Sequence, residues 1–180
     1  MRTLIITLML AVMTAANAQT NGNDKAKVAE IRAKYSMYKE LAARNKNEEA
    51  PRSDMTITSN YIIPGCGPTK ENIYYAFDLQ QDGETGSDYY WPYLIERSYN
   101  VAARNYYQEY LYDRNNHSLL FVYVKETNFN GQVNETRYYY GDDSWTYHTV
   151  KGEQFGSSDE MLYLGTRLIE GFGYIMNSGD

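Results

Sequence analysis

The chain carries a single cysteine, Cys66, and only two histidines among 180 residues. One cysteine cannot form an internal disulfide, so a hydrophobic core must supply the stability. One Cys and two His also lack the spacing of a zinc site, and we predict no metal site and no cofactor. The sequence contains no nucleophile elbow, phosphate-binding loop or dinucleotide fingerprint, so we predict no catalytic residues from motifs.

Positive charge and long apolar runs are also scarce. There are 17 Lys and Arg against 23 Asp and Glu, which gives a formal net charge of −6. This sign opposes binding to nucleic acid, which depends on cationic side chains displacing the counterions of phosphates. A membrane-spanning helix needs roughly 20 consecutive apolar residues, and we find no such segment. We therefore expect neither a nucleic-acid partner nor a membrane span.

The first 18 residues are typical of a secretory signal peptide. Arg2 supplies the positive charge, an apolar stretch runs from Leu4 to Met13, and Ala16-Asn17-Ala18 forms a small-x-small cleavage site. We predict an exported, soluble protein that is periplasmic or secreted. Residues 19–180 would form one domain, with residues 19–23 as a mobile leader.

Tyrosine is the most unusual part of the composition. There are twenty tyrosines, and sixteen of them lie between Tyr61 and Tyr147. Tyr favours strands, because its ring covers a half-buried pleated surface while its hydroxyl still reaches water. The middle of the chain is therefore predicted to be rich in β-structure.

Two segments have helical periodicity. From Asp24 to Asn47, apolar residues recur every three or four positions, with Asn23 or Asp24 as the expected N-cap. Near the C-terminus, Ser157 and Glu160 form a capping-box pattern. The two predicted apolar stripes are Val28, Ile31, Tyr35, Tyr38 and Ala42, and then Met161, Leu164, Leu168, Phe172 and Ile175.

Between these helices, from Met55 to Tyr147, the apolar period is two and short polar turns separate the strands. Short turns require antiparallel pairing. Pro92 cannot donate to a ladder, so the strand from Tyr89 to Tyr99 should lie at an edge near its start. We predict an α+β fold: an N-terminal helix, a six- to seven-stranded antiparallel meander sheet, and a C-terminal helix packed on one sheet face. Both helices are expected to cover that same face.

The turn "PGCGPTKENI" and the stretches "RSYNVAARNYYQEYLYD" and "ETRYYYG", together with the short signal, carry a resemblance. In these segments the chain resembles small exported proteins of Bacteroidetes-type bacteria. The resemblance implies export and an α+β shape. It transfers no catalytic or binding residues.

Cys66 has two interpretations, a chemical role for its thiol and a purely structural role in a turn. The surrounding Pro-Gly-Cys-Gly-Pro favours a tight turn between two strands, because glycine gives backbone freedom and proline restricts the ends. We expect a monomer with a free thiol. Paired carboxylates among Glu96, Glu109, Glu126 and Glu135 could instead serve a hydrolase, although cross-strand ion pairs explain the same residues.

The alternation of the strands places tyrosines on both faces of the sheet. An exposed aromatic row would make a binding platform for a glycan, a peptide or an envelope protein, because amphipathic rings offer much contact area at little entropy cost. We therefore predict a non-enzymatic binding domain, with a hydrolase or a purely structural envelope protein as alternatives. The predicted binding residues are Tyr106, Tyr110, Tyr112, Tyr138, Tyr140 and Trp145.

Overall fold

The computed structural model describes residues 22–47, 53–141 and 145–177. The predicted signal peptide, 1–18, and residues 19–21 of the predicted leader lie outside the described residues. Residues 22 and 23 of that leader belong to the first helix, which begins at Gly22.

Two helices flank seven antiparallel strands in one sheet, and neighbouring strands in the chain are neighbours in the sheet. This arrangement confirms the predicted α+β meander. The elements are α1 (Gly22–Asn47), β1 (Asp54–Ile63), β2 (Gly67–Gln81), β3 (Asp88–Val101), β4 (Arg104–Tyr112), β5 (Leu119–Thr127), β6 (Val133–Tyr140), β7 (Thr146–Lys151) and α2 (Ser158–Met176).

The apolar stripe of α1 packs on the sheet as its periodicity predicts. Val28, Ile31, Tyr38 and Ala42 are buried, and Tyr35 packs against the same cluster. The helix begins at Gly22, so the predicted N-cap at Asn23 or Asp24 is wrong. The residues that follow Asn47, 48–52, lie outside the described part of the chain.

The capping box predicted for α2 is present. The Oγ of Ser157 accepts a hydrogen bond from the backbone N–H of Glu160 at 3.2 Å, and the Glu160 carboxylate accepts from the backbone N–H of Ser157 at 2.7 Å. Met161 and Phe172 of the predicted stripe are buried. Ile175 is exposed, and the adjacent Met176 packs against the cluster in its place.

The two helices cover opposite faces of the sheet, which corrects the expectation that they share one face. On the α1 face, the helix packs on a cluster that includes Tyr74, Leu111 and Tyr139. On the α2 face, the neighbouring residues Tyr75 and Tyr138 belong to a second cluster. Consecutive residues of a strand point to opposite faces, so strands buried on both sides need apolar side chains at consecutive positions.

The turn that contains Cys66 joins β1 to β2, as predicted. The backbone N–H of Cys66 donates to the carbonyl of Ile63 at 3.0 Å, and Gly65 adopts a φ of 78°. A type II turn needs positive φ at its third residue, which glycine supplies without steric cost. The thiol of Cys66 is free and the residue is exposed.

Pro92 lies where β3 has only one neighbour. β2 pairs with β3 over this region, whereas the pairing of β3 with β4 begins at Leu94. The register of β2 and β3 shifts between Ala76 and Phe77, beside the proline. The prediction of an edge position near the start of this strand is therefore confirmed, although β3 is central further on.

Candidate functional site

The α2 helix buries four of the six predicted binding residues. Tyr110, Tyr112, Tyr138 and Tyr140 all belong to the cluster beneath α2. The expectation that this row is exposed is wrong, because the alternation of the strands does not reveal which face receives the C-terminal helix.

The hydroxyl groups of these four rings have structural partners. Tyr112 donates to the carbonyl of Gly165 in α2 at 2.9 Å, and Tyr140 donates to the carbonyl of Ser158 at 2.8 Å. Tyr138 donates to the carbonyls of the segment before α2, and Tyr110 donates to a side-chain amide at 3.1 Å. Burial raises the pKa of all four rings. They attach α2 to the sheet.

Trp145 lies on the α1 face, opposite these tyrosines. It is partly buried, and its indole N–H donates to the carboxylate of Asp24 at 2.9 Å. The ammonium of Lys27 lies 5.0 Å from the centre of its ring. Trp145 therefore holds the first turns of α1, and the structure does not bring it together with Tyr106.

Tyr106, the remaining predicted residue, is partly exposed on the α2 face and belongs to an aromatic stack. Its ring lies parallel to that of Tyr99 on β3, with centres 4.9 Å apart and an interplanar angle of 15°. Phe155 packs on Tyr106 at 5.6 Å, and the guanidinium of Arg97 lies 4.4 Å from the Tyr99 ring. We call these four residues, Arg97, Tyr99, Tyr106 and Phe155, the Tyr106 surface.

Polar groups hold the Tyr106 surface in place. Arg97 donates to the Glu71 carboxylate at 2.5 Å and to the Gln108 side-chain oxygen at 3.2 Å. Gln108 is fully buried, and its Nε2 has no hydrogen-bond partner among the described residues. Tyr106 and Arg104 both approach Glu126, whose carboxylate also accepts from a buried asparagine. These contacts fix the positions of the side chains in the surface, and one donor beneath it has no partner among the described residues.

Sequence reasoning missed three members of this surface. Tyr99 and Tyr106 are opposite each other because the turn between Val101 and Arg104 is short and the register continues from it. The pairing of these two tyrosines can be read from the sequence once the turn between β3 and β4 is assigned. The position of Phe155 depends on how the segment after β7 returns over the sheet, which no local pattern reveals.

The four candidate carboxylates are divided between the two faces. Glu96 and Glu109 are directly opposite each other on the α1 face, whereas Glu126 lies on the α2 face. The ammonium of Lys39 bridges Glu96 and Glu109, and lies 2.8 Å from Glu109. Glu135 is paired with Arg137 at 2.7 Å. Each carboxylate has a cationic partner, and the closest pair is an ion cluster between α1 and the sheet.

This ion cluster predicts a specific dependence of stability on pH. Burial raises the pKa of Glu96, but the ammonium groups of Lys39 and Lys46 outweigh it and hold the pKa below its ordinary value. A carboxyl group whose pKa is lowered in the folded state stabilises the protein at pH values above its ordinary pKa. This stabilisation is lost as the pH falls through the lowered pKa. The destabilisation caused by Lys39→Met should therefore be largest near about pH 7 and shrink below about pH 4.

Thermal unfolding at a series of pH values measures this difference. The matched control is Lys25→Met, because Lys25 is exposed on the same helix. We expect the control to follow the wild-type curve throughout. A Lys39→Met deficit that stays constant from neutral to acidic pH would contradict the role given to Glu96.

Within the described ranges, no group of three His, Cys, Asp or Glu side chains could hold a metal ion. The helices of this part of the chain are also too short or too polar to cross a membrane. No protein-family model matches the chain, and no curated protein or solved structure matches it either. The resemblance to exported bacterial proteins stays a prediction.

Proposed function

We propose that the protein is an exported, non-enzymatic binding domain that recognises a protein or peptide partner through the Tyr106 surface. The observation that carries the proposal is the stack of Arg97, Tyr99, Tyr106 and Phe155 on the α2 face, which lies at the border of the cluster beneath α2 and contacts it through Phe155. Tyr and Arg are enriched at protein interfaces, where they supply most of the binding energy.

The contacts that order these side chains support this role. Each ring is fixed by its neighbour, and the salt bridge from Arg97 to Glu71 fixes the guanidinium. Side chains that are ordered before binding lose little conformational entropy when a partner docks. The Nε2 of Gln108 adds to the argument, because it is one of three buried side-chain polar atoms of the described residues without a partner, and an unsatisfied buried donor costs about 1–3 kcal/mol.

The stacking geometry favours a polypeptide over a glycan. The rings of Tyr99 and Tyr106 stack on each other, the Arg97 guanidinium lies over the Tyr99 ring, and Phe155 packs on Tyr106 at an interplanar angle of 56°. The faces by which Tyr99 and Tyr106 stack on each other are therefore not available for stacking with a sugar ring.

The proposal is tested by capturing partners from the native cell envelope with the immobilised protein. The test variant carries Tyr99→Ser and Tyr106→Ser. The matched control is Tyr163→Ser, because Tyr163 is 64% exposed on α2, away from the surface. We expect the double variant to retain less than about one tenth of the captured partner, which corresponds to a loss of about 1.4 kcal/mol. The control should capture as much as the wild type.

The proposal fails if the double variant captures the same proteins in the same amounts. Circular dichroism and thermal unfolding of the three proteins establish that the double variant is folded. Cross-strand aromatic pairs contribute only about 0.2–1 kcal/mol, so the fold should tolerate the change.

Export is part of the same proposal and has its own measurement. If residues 1–18 are a signal peptide, expression of the full chain in a bacterial host should yield an exported protein that begins at Gln19. N-terminal sequencing and intact mass of the exported fraction test this. A full-length chain that stays in the cytoplasm would contradict the prediction.

A further inference from the structure

Within the described ranges, the edge strand β1 has one edge with which no other strand pairs. It pairs with β2 over ten consecutive residues, from Asp54 to Ile63, without a bulge. Between Met55 and Ile63 it contains no charged residue and no proline. A long, regular and uncharged edge strand is a template for pairing with another strand, and most proteins block such an edge with lysine, proline or a bulge.

The backbone groups that point away from β2 can be assigned by parity. The carbonyl of Ser53 accepts from the backbone N–H of Phe77, so the odd-numbered residues direct their backbone groups towards β2. The even-numbered residues direct theirs towards the free edge. The side chains of these even-numbered residues are also exposed, namely those of Thr56, Thr58, Asn60 and Ile62. Both the backbone groups and the side chains along this edge of β1 are therefore accessible to a second strand.

The other edge of the sheet is different. Strand β7 has six residues, ends with the charged Lys151, and is followed by Gly152 with a φ of 83°. A short strand that ends in a lysine and a left-handed glycine offers little regular edge for pairing. Of the two edge strands, β1 is therefore the one that is suited to pairing with another strand.

We propose that β1 pairs with β1 of a second copy of this chain, antiparallel and about a two-fold axis perpendicular to the sheet at Ser59. This arrangement extends the sheet across the dimer. An isologous interface of this kind requires a self-complementary strand. The proposal goes beyond the binding function and does not depend on it, and it replaces the sequence-based expectation of a monomer.

The register is selected by the side chains that it brings together. Centred on Ser59, it places Ile57 opposite Tyr61 and Met55 opposite Ile63 of the second copy, on the α2 face. Aromatic and β-branched cross-strand pairs of this kind are favourable, and no like charges meet. A register centred on Thr58 would instead place the Asp54 carboxylate opposite Ile62. The Ser59 register is therefore preferred.

The first test is the molar mass in solution as a function of protein concentration, measured by light scattering or sedimentation. We expect the wild type to move from the monomer mass to the dimer mass as concentration rises. Thr58→Lys adds a charge at the centre of the edge and should remain monomeric. The matched control, Thr146→Lys, places the same charge on the exposed start of β7 and should dimerise as the wild type does.

A wild type that stays at the monomer mass at every concentration overturns the proposal. Equal loss of the dimer in both variants also overturns it, because the interface would then not be specific to β1. Thermal unfolding of Thr58→Lys establishes that the variant is folded. At a concentration at which both variants are monomeric, its unfolding temperature should lie close to that of the control, because Thr58 is exposed and loses only a hydrogen bond to the Asn72 side chain.

The second test is a disulfide at the proposed axis, made in a Cys66→Ser background. In the Ser59 register the two Ser59 residues form a non-hydrogen-bonded pair with Cα atoms about 4.5 Å apart, which a disulfide can span. Ser59→Cys should therefore form a covalent dimer under mild oxidation. Thr58→Cys should form at least about ten times less covalent dimer, because the two cysteines at position 58 would be diagonal neighbours across the interface and not directly opposite each other. Equal cross-linking of the two variants, or none in either, overturns the register.

Discussion

Replacement of Glu109 by Ala should lower the free energy of unfolding by about 3 kcal/mol. The Glu109 carboxylate is buried between the sheet and α1, where it accepts from Tyr35 at 2.5 Å and from Tyr107 at 2.6 Å. It also pairs with the ammonium of Lys39 at 2.8 Å. The substitution removes the acceptor and leaves two hydroxyl groups and one cation without this partner. Removing one member of a buried ion pair is strongly destabilising for that reason.

Chemical denaturation monitored by fluorescence measures the loss. The matched control is Glu40→Ala, because Glu40 is exposed on α1 and the same atoms are removed. We expect the control to change the free energy of unfolding by less than about 0.5 kcal/mol. A loss below about 1 kcal/mol in Glu109→Ala would show that the ion cluster does not join α1 to the sheet.

The same substitution at two glycines of α2 should change stability in opposite directions. A Cβ at Gly165 would lie 2.9 Å from the Tyr112 hydroxyl, which itself donates to the Gly165 carbonyl, and 3.3 Å from the Tyr110 ring. A Cβ at Gly171 would meet nothing within 4 Å. Gly165→Ala therefore crowds the contact of α2 with the sheet and should cost about 1–3 kcal/mol. Gly171→Ala should stabilise the protein by about 0.5–1 kcal/mol, because alanine is the better helix former.

Thermal unfolding of the two variants is the measurement, and each variant is the control for the other. The intrinsic helix propensity gained is the same at both positions, so the difference between them isolates the contact at Gly165. Equal stabilisation of both variants would contradict the close approach of α2 to Tyr110 and Tyr112.

Local patterns predict most of the secondary structure. The stripe from Val28 to Ala42 defines the buried side of α1, and the Ser157 capping box places the start of α2. The capping box lies within one turn and the stripe within about four turns of the same helix, so no knowledge of the rest of the chain is needed. Short turns between strands similarly predict the meander order.

The placement of the helices on opposite faces was missed, although a signal for it exists. The run Tyr138-Tyr139-Tyr140 is buried at all three positions, and so is the run from Tyr110 to Tyr112. A strand with one solvated face alternates, whereas consecutive buried residues require cover on both faces. Tyrosine makes this signal hard to recognise in the sequence, because a ring whose hydroxyl can reach water is also typical of an exposed strand face.

The candidate site was predicted only in part, because exposure depends on how far α2 extends along the sheet. A helix of 19 residues is about 28 Å long and covers only part of the α2 face. Tyr110 falls beneath it, whereas Tyr106, four residues earlier in the same strand, lies outside the buried cluster. No periodicity in β4 distinguishes these two residues.

The most direct test of the Tyr106 surface is the footprint of a captured envelope partner, mapped by hydrogen–deuterium exchange of the free and bound protein. We predict slower exchange upon binding in the segments that carry the surface, 97–106 and 153–156, with no change in the central turns of α1. Unchanged exchange in these segments, with protection confined to other parts of the chain, would contradict the assignment of the binding site to the Tyr106 surface.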